Sequence, residues 1–567
     1  MDKNLEDLIL KYVLQNAIRY KGKANQNVII GKLFSAKPEL KKDKKNLSKI
    51  FEQIKSIVKK VNSMKLEDQE NLLKKLAPEL LERKIEKKEL PELKNIKDKV
   101  VMRLAPYPSG PLHIGNAKPF LLNDYYVKKY KGNLLLVIDD TIGSEEKMIV
   151  KDAYNLIIDG LNWLNIKFDK KIYYKSDRLD IYYKYAEILI KKNKAYVCFC
   201  NTEELRENRF NKKECKHRNN SVENNLSFWK DILANKYKEG QATLRIKTSM
   251  QHKNPAFRDR VLFRISNRSH PRVKNKYSVW PLLEFSWAVD DHLLNITHIL
   301  RGKDLMIESE MEKYIWNILN WKHPEIIYTG LLKIESLKLS KSKSQKEVLS
   351  KKYIGWDDPR TFSLQSLKRR NFKADAIRNF LFSTGLTLND VTVPIETLYN
   401  ENRKIIEPIA NRYFFINDPV KIKIENSPNL NVEINLHPDF PERGTRKFKT
   451  KNEFYISSRD YKLIEENNLY RLMECLNFAK KGNKFIFHSK EYEKFKADGK
   501  MIMHWLPVEK DLVNVEVLME DGTLAKGLGE SLMKNLKFNT VIQGERFGFI
   551  KLDKKEKDKL VFWFTHK

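Results

Sequence analysis

Residues 99–140 read KVVMRLAPYPSGPLHIGNAKPFLLNDYYVKKYKGNLLLVIDD. The run VVMRL is apolar and suits a strand, and APYPSGPL breaks it with Pro and Gly. IGNAKPFLLNDYYVKKYKG then carries a helical pattern to Gly132, and NLLLVIDD supplies a second apolar strand. Strand, helix and strand within about 40 residues form a βαβ unit, because parallel strands need a crossover rather than a tight turn. The expected class is α/β.

Outward from this unit the pattern changes on both sides. Toward the N-terminus, Leu5, Leu8, Ile9, Tyr12 and Val13 follow the spacing of one buried helical face. The stretch 41–60 is helical in period and heavily basic, which suits contact with RNA but reads first as a solvated helix face. Residues 82–98 are charged, interrupted by Pro91 and poor in core residues, so a linker is expected there. Toward the C-terminus, Asp180–Lys194 predicts a helix, Ala242–Ile246 and Asn295–Leu300 predict strands, and Met306–Leu319 predicts a helix. Residues 350–395 look helical and basic, with Lys368, Arg369 and Arg370 adjacent. After about Val420 the period becomes two: Val420, Ile422 and Ile424, then Val513, Val515 and Val517, alternate with polar residues, and turn pairs recur between them. That predicts β-barrels.

Composition bounds what such a chain can do. Its 567 residues imply about four domains. Apolar residues at 41% and aromatics at 11% exclude wholesale disorder. A net charge of +34 fits a polyanionic partner, since phosphates bound by Lys and Arg release counterions; a lysine-rich proteome is the alternative source. Four cysteines cannot make a disulfide framework, so a reducing compartment is expected. No apolar run approaches the ~18 residues of a membrane helix, and the N-terminal MDKNLEDLILKYVLQNAIRY is amphipathic rather than signal-like. The expectation is a soluble, cytoplasmic protein with no membrane partner.

Two motifs bear on phosphate chemistry. Pro111-Leu112-His113-Ile114-Gly115-Asn116 stands at the loop-to-helix junction, where unpaired N–H groups and the positive dipole end suit an anion. Gly115 lets a base or sugar approach the backbone, and His113 and Asn116 can donate hydrogen bonds. More than 200 residues later, Lys338-Leu339-Ser340-Lys341-Ser342-Lys343 is a cationic loop of small residues that could neutralise charge on a leaving pyrophosphate. Each alone also fits a structural or solvated loop.

Together the pair resembles the HIGH and KMSKS signatures of class I aminoacyl-tRNA synthetases, with Asn116 in place of the last His and Leu339 in place of Met. Arg103-Leu-Ala-Pro-Tyr-Pro-Ser-Gly110, Asp139-Asp140-Thr141, His298-Ile-Leu-Arg301-Gly302 and Trp356-Asp-Asp-Pro-Arg360 are similar to the glutamyl/glutaminyl subgroup. The β-rich C-terminus, with His437-Pro438 and Arg443-Gly444-Thr445-Arg446, resembles the archaeal and eukaryotic glutamyl-tRNA synthetases. The resemblance implies a Rossmann-like catalytic domain, ATP with Mg²⁺ as co-substrate, and glutamate and tRNA-Glu as partners. It further implies that Arg103 pairs with the side-chain carboxylate of glutamate, that Asp139 holds its α-ammonium and that Arg301 lines the same pocket. His113 and Lys341 would stabilise the phosphates with Lys338 and Ser340 assisting, while Gly115 and Asn116 contact ATP. A bidentate guanidinium fits a carboxylate better than an amide, which favours glutamate over glutamine. Two positions depart from the family pattern: Val137 stands where an Arg is often found, and Leu283 where an aromatic hydroxyl is expected.

Cys198-Phe-Cys200 and Cys215-Lys-His217 place three thiols and an imidazole within a short span, a donor set for tetrahedral Zn²⁺ rather than for packing. With four protein ligands the site would be structural. Glutamyl-tRNA synthetases of several lineages show a similar cluster in the insertion that meets the tRNA acceptor end. In residues 255–272 arginines are packed around Phe257 and Phe263, a pattern that suits a splayed single-stranded RNA end or an ordinary amphipathic strand.

The expected organisation is a helical N-terminal region at 1–95, a catalytic domain at 96–345 with an insertion at about 195–275, a helical stem-contact segment at 346–400 and anticodon-binding β-barrels at 401–567. The expected activity is ligation of glutamate to tRNA-Glu, with monomer the family expectation and charging of tRNA-Gln left open. The alternatives are a glutaminyl-tRNA synthetase and a non-catalytic, synthetase-like RNA-binding protein.

Overall fold

The computed structural model describes residues 3–20, 22–37, 40, 47–77, 90–143, 148–335, 337 and 341–567. The chain divides into two units, Met1–Lys88 and Glu89–Lys567.

The first unit holds helices α1 (Lys3–Arg19), α2 (Gln26–Ala36), α3 (Leu47–Asn62) and α4 (Leu66–Leu76). Leu5, Ile9 and Val13 of α1 are buried as their spacing predicts, together with Leu14 and Ala17. Helix α3 buries Ile50, Ile54, Ile57 and Val61 along one stripe, while Lys49, Lys55, Lys59 and Lys60 face solvent. Residues 41–46 of that basic stretch lie outside the described residues.

The second unit is built on the βαβ motif. Strands β1 (Val101–Leu104), β2 (Asn133–Ile138) and β3 (Ile172–Tyr174) are parallel, with Arg103 opposite Leu135. Helices α5 (Ile114–Lys129) and α6 (Ala153–Trp163) make the crossovers. After α7 (Leu179–Lys191) the chain leaves for an antiparallel insertion: β4 (Ala195–Cys198), α8 (Thr202–Phe210), α9 (Val222–Leu233), β5 (Thr243–Ile246), β6 (Val261–Ile265) and β7 (Val279–Pro281). It returns through α10 (Leu283–Leu293), β8 (His298–Gly302), α11 (Met306–Leu319) and β9 (Glu325–Thr329). Strands β8 and β9 are parallel, and the N–H of Thr297 donates to Val101 O at 2.9 Å, so this pair lies beside β1.

The predicted linker differs from what forms. Residues 82–89 lie outside the described residues, but Leu90 and Leu93 are buried in the core that holds β1 and β2. Tyr126 Oη donates to Pro91 O (2.8 Å), and His298 Nε2 bonds Lys94 O (2.9 Å). Two leucines in a charged run are enough to seat it on the sheet.

The segment after β9 also shares that core. A parallel pair, β10 (Leu332–Ile334) and β11 (Val391–Val393), brackets helices α12 (Lys341–Leu349), α13 (Leu364–Arg369) and α14 (Ala374–Ser383). Leu364, Leu367, Phe372, Ile377, Phe380, Leu381 and Leu398 pack with Met102, Leu104 and Leu136. Helix α15 (Ile395–Ile406) runs through the expected boundary at 401, and strands begin at Asn411.

From there two seven-stranded sheets form barrel-like bodies. One is ordered Asn411–Tyr413, Val541–Gly544, Gly548–Lys555, Lys559–His566, Val513–Leu518, Leu524–Gly529, Phe415–Asn417. The other is ordered Gly499–Met503, Leu469–Leu472, Leu476–Lys481, Lys484–Ser489, Pro419–Glu425, Glu453–Ser457, Leu506–Pro507. The alternation seen in sequence is real: Ile422, Ile424, Val513, Val515 and Val517 are buried. Arg370, wholly buried, ties the helices to the first sheet by donating to Phe564 O (3.0 Å) and Thr565 O (2.8 Å). Beside it Arg369 bridges Asp357 (2.7 Å) and Asp553 (2.8 Å).

Burial holds His504 and His566 down to about 4, so both are neutral in the fold. The unfolded chain, with histidines near 6.5, then binds more protons between those values, and stability is full above about pH 6.5 and lost as pH falls toward 4. Each histidine should contribute about 3 kcal/mol to that loss. Urea denaturation followed by tryptophan fluorescence at pH 7 and pH 4 checks this, and His566→Asn should flatten the dependence.

Candidate active site and cysteine cluster

The loop 105–113 leaves the C-terminal end of β1 and enters α5, the position where ligands meet parallel sheets. His113 is the N-cap of α5: its Nδ1 accepts from the N–H of Gly115 at 3.1 Å. With Nδ1 accepting, the neutral ring carries its proton on Nε2 as a donor. Asn116 closes the capping box, its Oδ1 accepting from the N–H of His113 at 3.5 Å. The amide at this position therefore has a structural use and retains its NH₂ group as a donor. Gly110 lies under Trp356; a Cβ there would come within 2.8 Å of the indole, so the Trp356–Arg360 loop braces the Pro/Gly loop.

A cavity of about 620 Å³ opens beside these groups, and Arg103, Asn116, Asp139 and Arg301 all line it. His113 and Gly115 sit at the adjoining helix start. Lys338 and Ser340 lie outside the described residues, as does the side chain of Lys341, whose backbone begins α12.

Inside the cavity the charges are already paired. Arg103 is buried against Asp291, Nε to Oδ1 at 2.5 Å and Nη2 to Oδ2 at 2.8 Å. Arg301 Nη1 bonds Glu312 Oε1 at 2.8 Å, while its Nε and Nη2 donate to nothing among the described residues. Nη2 lies 4.0 Å from Asp291 Oδ2, beyond hydrogen-bond distance, so this buried edge keeps its N–H donors for one more carboxylate. Asp139 Oδ1 accepts from Thr141 Oγ1 (3.1 Å) and faces Lys175 Nζ at 3.3 Å. Trp287 forms part of the wall, with Arg103 Cζ and Lys175 Nζ each 3.5 Å from its ring. Burial, aided by Asp139, pushes the Tyr107 hydroxyl at the rim up to about 12, so it stays protonated.

Asp291, Glu312, Lys175 and Trp287 are absent from the sequence-based site. Helix α10 reads LEFSWAVDDHL, with Glu284, Ser286 and His292 beside Asp290-Asp291, so no pattern in it marks Asp291 as a buried partner. Glu312 falls on the buried side of α11 between Met311 and Ile315. Nothing in the sequence separates Lys175 from its many neighbours of the same kind.

The basic and aromatic stretch at 255–272 turns inward. Phe263 is buried in β6, and Phe257 packs on His252 and Tyr314. Arg258 donates to backbone carbonyls of His252 and Arg209, Arg260 pairs with Glu284 and Glu308, and Arg268 bonds Gly143 O. Only Val261–Ile265 of this segment is a strand, and it lacks the exposed basic face of an ordinary amphipathic strand, since its flanking arginines organise the insertion and the cavity wall.

Cys198, Cys200, Cys215 and His217 converge, their ligand atoms all within 4.8 Å of one another. Cys198 Sγ and Cys200 Sγ lie 3.5 and 3.3 Å from Cys215 Sγ, and His217 Nδ1 lies 3.1 to 4.0 Å from the three sulfurs. A tetrahedron with ~2.3 Å metal–sulfur bonds has edges of about 3.7 Å, so the set fits a zinc ion. A hydrogen bond from Cys198, with others from His217 and Cys200, holds the Cys215 thiol down to about 4, and Arg245 Nη1 lies 3.7 Å from Cys198 Sγ. Cys215 thus favours thiolate, the form a metal requires, while its hydrogen bond and burial push Cys198 up, and burial with the same kind of bond pushes Cys200 up, so one negative charge is shared among three sulfurs.

Residues 99–408 match the family described as tRNA synthetases class I (E and Q), catalytic domain, and residues 410–493 match its anti-codon binding domain. The chain belongs to this family of class I synthetases. It is 41% identical over 567 residues to the glutamate–tRNA ligase of Methanobrevibacter smithii, covering all of both chains. It is 43% identical over 579 residues to that of Thermococcus onnurineus, again over both full lengths, and 40% identical to that of Methanocaldococcus jannaschii over 99% of this chain and all of the relative. A crystal structure of the glutamate–tRNA synthetase of Elizabethkingia anophelis aligns with a TM-score of 0.41 at 22% identity, covering 55% of this chain and 72% of that one. Among the described residues no helix is long and apolar enough to cross a membrane.

Removing one partner of a buried ion pair leaves a bare charge and typically costs about 3–5 kcal/mol. Asp291→Ala, which strands Arg103, should lower the urea midpoint of the second unit by a corresponding amount.

Proposed function

We infer that this chain is a glutamate–tRNA ligase, which activates glutamate with ATP and transfers it to the 3′ end of its tRNA. The observation that carries the choice of amino acid is Arg301, which lines the cavity and whose Nε–Nη2 edge makes no hydrogen bond among the described residues. A glutamate side chain offers that edge two anionic oxygens, whereas glutamine offers one neutral oxygen and an NH₂ that would clash with a donor. Arg103 contributes positive potential from its place against Asp291, and Asp139 presents a carboxylate to the α-ammonium.

The substrate α-carboxylate attacks the α-phosphorus of ATP and pyrophosphate leaves. A terminal ribose hydroxyl of tRNA then attacks the acyl carbon, and AMP leaves. In this reading Nε2–H of His113 donates to phosphate oxygens, Gly115 admits the nucleotide to the start of α5, and Asn116 donates through its NH₂. Lys338, Ser340 and Lys341 close over the phosphates, and Mg²⁺ enters with the nucleotide. The charge that develops on the leaving group is met by donors already in place, which is where such sites gain most. Cys198, Cys200, Cys215 and His217 would hold a structural zinc that fixes α8 and the insertion for the acceptor end. The paired sheets after Asn411, with a cleft of about 890 Å³ between them, suit the anticodon. A monomer in the cytoplasm completes the proposal, and charging of tRNA-Gln with glutamate is carried as part of it.

Aminoacylation of purified tRNA-Glu and tRNA-Gln, each offered labelled glutamate or labelled glutamine with ATP, tests the reading. Glutamate on tRNA-Glu is expected; glutamine on tRNA-Gln would transfer the assignment to the sister enzyme, and no charging with tRNA binding intact would indicate a binding protein. Elemental analysis should find one zinc per chain, lost in Cys215→Ala with weaker tRNA binding. An intact cluster without metal would remove the zinc.

A further inference from the structure

Lys175 follows β3 at the C-terminal end of the parallel sheet and has no exposed surface. A wholly buried lysine is rare and must be held by partners, because its charge is costly to remove from water. Here Nζ donates to Ser286 Oγ at 2.7 Å, lies 3.3 Å from Asp139 Oδ1 and sits 3.5 Å from the ring of Trp287. The nearby Arg103 guanidinium stands over the same ring at 3.5 Å. Strand β3, the strand end at Asp139 and helix α10 thus meet at one ammonium group.

Its effect falls on Asp139. Oδ1 is taken by Thr141 Oγ1 and faces Lys175, so among the described residues Oδ2 is the oxygen left without a partner on the cavity wall. Without Lys175, Asp139 would be an uncompensated carboxylate in a cavity that also holds Arg103 and Arg301, and it would turn toward one of those guanidinia. That would withdraw the oxygen offered to the ammonium, while Arg103 and Arg301 keep the carboxylates they already pair with. We propose that Lys175 is a positioning residue of the amino acid pocket, holding Asp139 so that Oδ2 faces the α-ammonium of glutamate. The proposal rests on the reading that Asp139 binds that ammonium. Burial pushes the lysine below its ordinary value, and the carboxylates of Asp139 and Asp290 oppose that shift.

The test uses the full-length enzyme, tRNA-Glu and labelled glutamate, with glutarate, which lacks the α-ammonium, as a competitive inhibitor. Lys175→Met should raise KM for glutamate about tenfold or more, leave KM for ATP within about twofold and leave glutarate inhibition unchanged, since only the ammonium contact is lost. Ser286→Ala, which frees the other anchor of Nζ, should do the same to a smaller extent and serves if Lys175→Met does not fold. In an Asp139→Asn background Lys175→Met should add less than about twofold. Equal weakening of glutamate and glutarate would reduce Lys175 to a support for pocket shape and overturn the proposal, as would an unchanged KM for glutamate in both variants. If Asp139→Asn itself leaves KM for glutamate unchanged, the Asp139 reading fails first. If Asp139→Asn raises it and the Lys175 variant does not, only the positioning role fails.

Discussion

The ion pair between Arg103 and Asp291 is the contact on which the active centre depends. It joins β1 to α10 across 188 residues of chain, and both side chains are out of water. Such a pair gives little net stability, because desolvation offsets most of the Coulomb attraction. What it supplies is geometry: a bidentate guanidinium and carboxylate fix two elements in one register. Arg301 with Glu312, Lys175 with Asp139 and Arg178 with Asp290 repeat the arrangement around it. The cavity is therefore lined by charges whose orientations are settled before a substrate arrives, which is the condition for electrostatic preorganisation.

The same economy explains how the insertion and the C-terminal sheets relate to the catalytic core. Arg260 ties β6 to the cavity wall through Glu284 and Glu308. Arg369 and Arg370 tie the helices after β10 to the first seven-stranded sheet, and Arg369 also lies 4.0 Å over the ring of Trp563. Arginine serves at these joints because its planar fork can satisfy several acceptors at once while its face packs on a ring. Much of the arginine in the sequence is thus internal, and the lysines carry more of the solvent-facing charge.

What could be read from the sequence was whatever is local. The βαβ unit announced itself because strand, Pro/Gly loop, capped helix and strand follow one another without interruption. The alternation at Ile422 and Val515 announced strands, and the C-x-C and C-x-H spacing announced a four-ligand cluster that the structure brings together. The individual residues of the cavity were legible only through motif resemblance. Their partners were not, because Asp291 reaches Arg103 from a helix far along the chain and Lys175 looks like any other lysine. The stretch around Phe257 and Phe263 misled for a related reason. Composition records that arginines and rings are near one another, but not that carbonyls and carboxylates from other elements are waiting for them. The segment 90–98 shows the limit from the other side, since two leucines outweighed its four charged residues.

Helix α5 begins with a histidine whose ring nitrogen replaces a missing backbone acceptor, and with an asparagine that returns the favour. The signature that defines the enzyme class is for this reason also a folding instruction. Replacing either residue would therefore loosen the start of the central crossover, by the roughly 0.5–2 kcal/mol that an N-cap contributes. Activity lost on changing either residue would thus report a disturbed helix start as much as a missing donor, and the two separate only when the stability of the crossover is read beside the reaction.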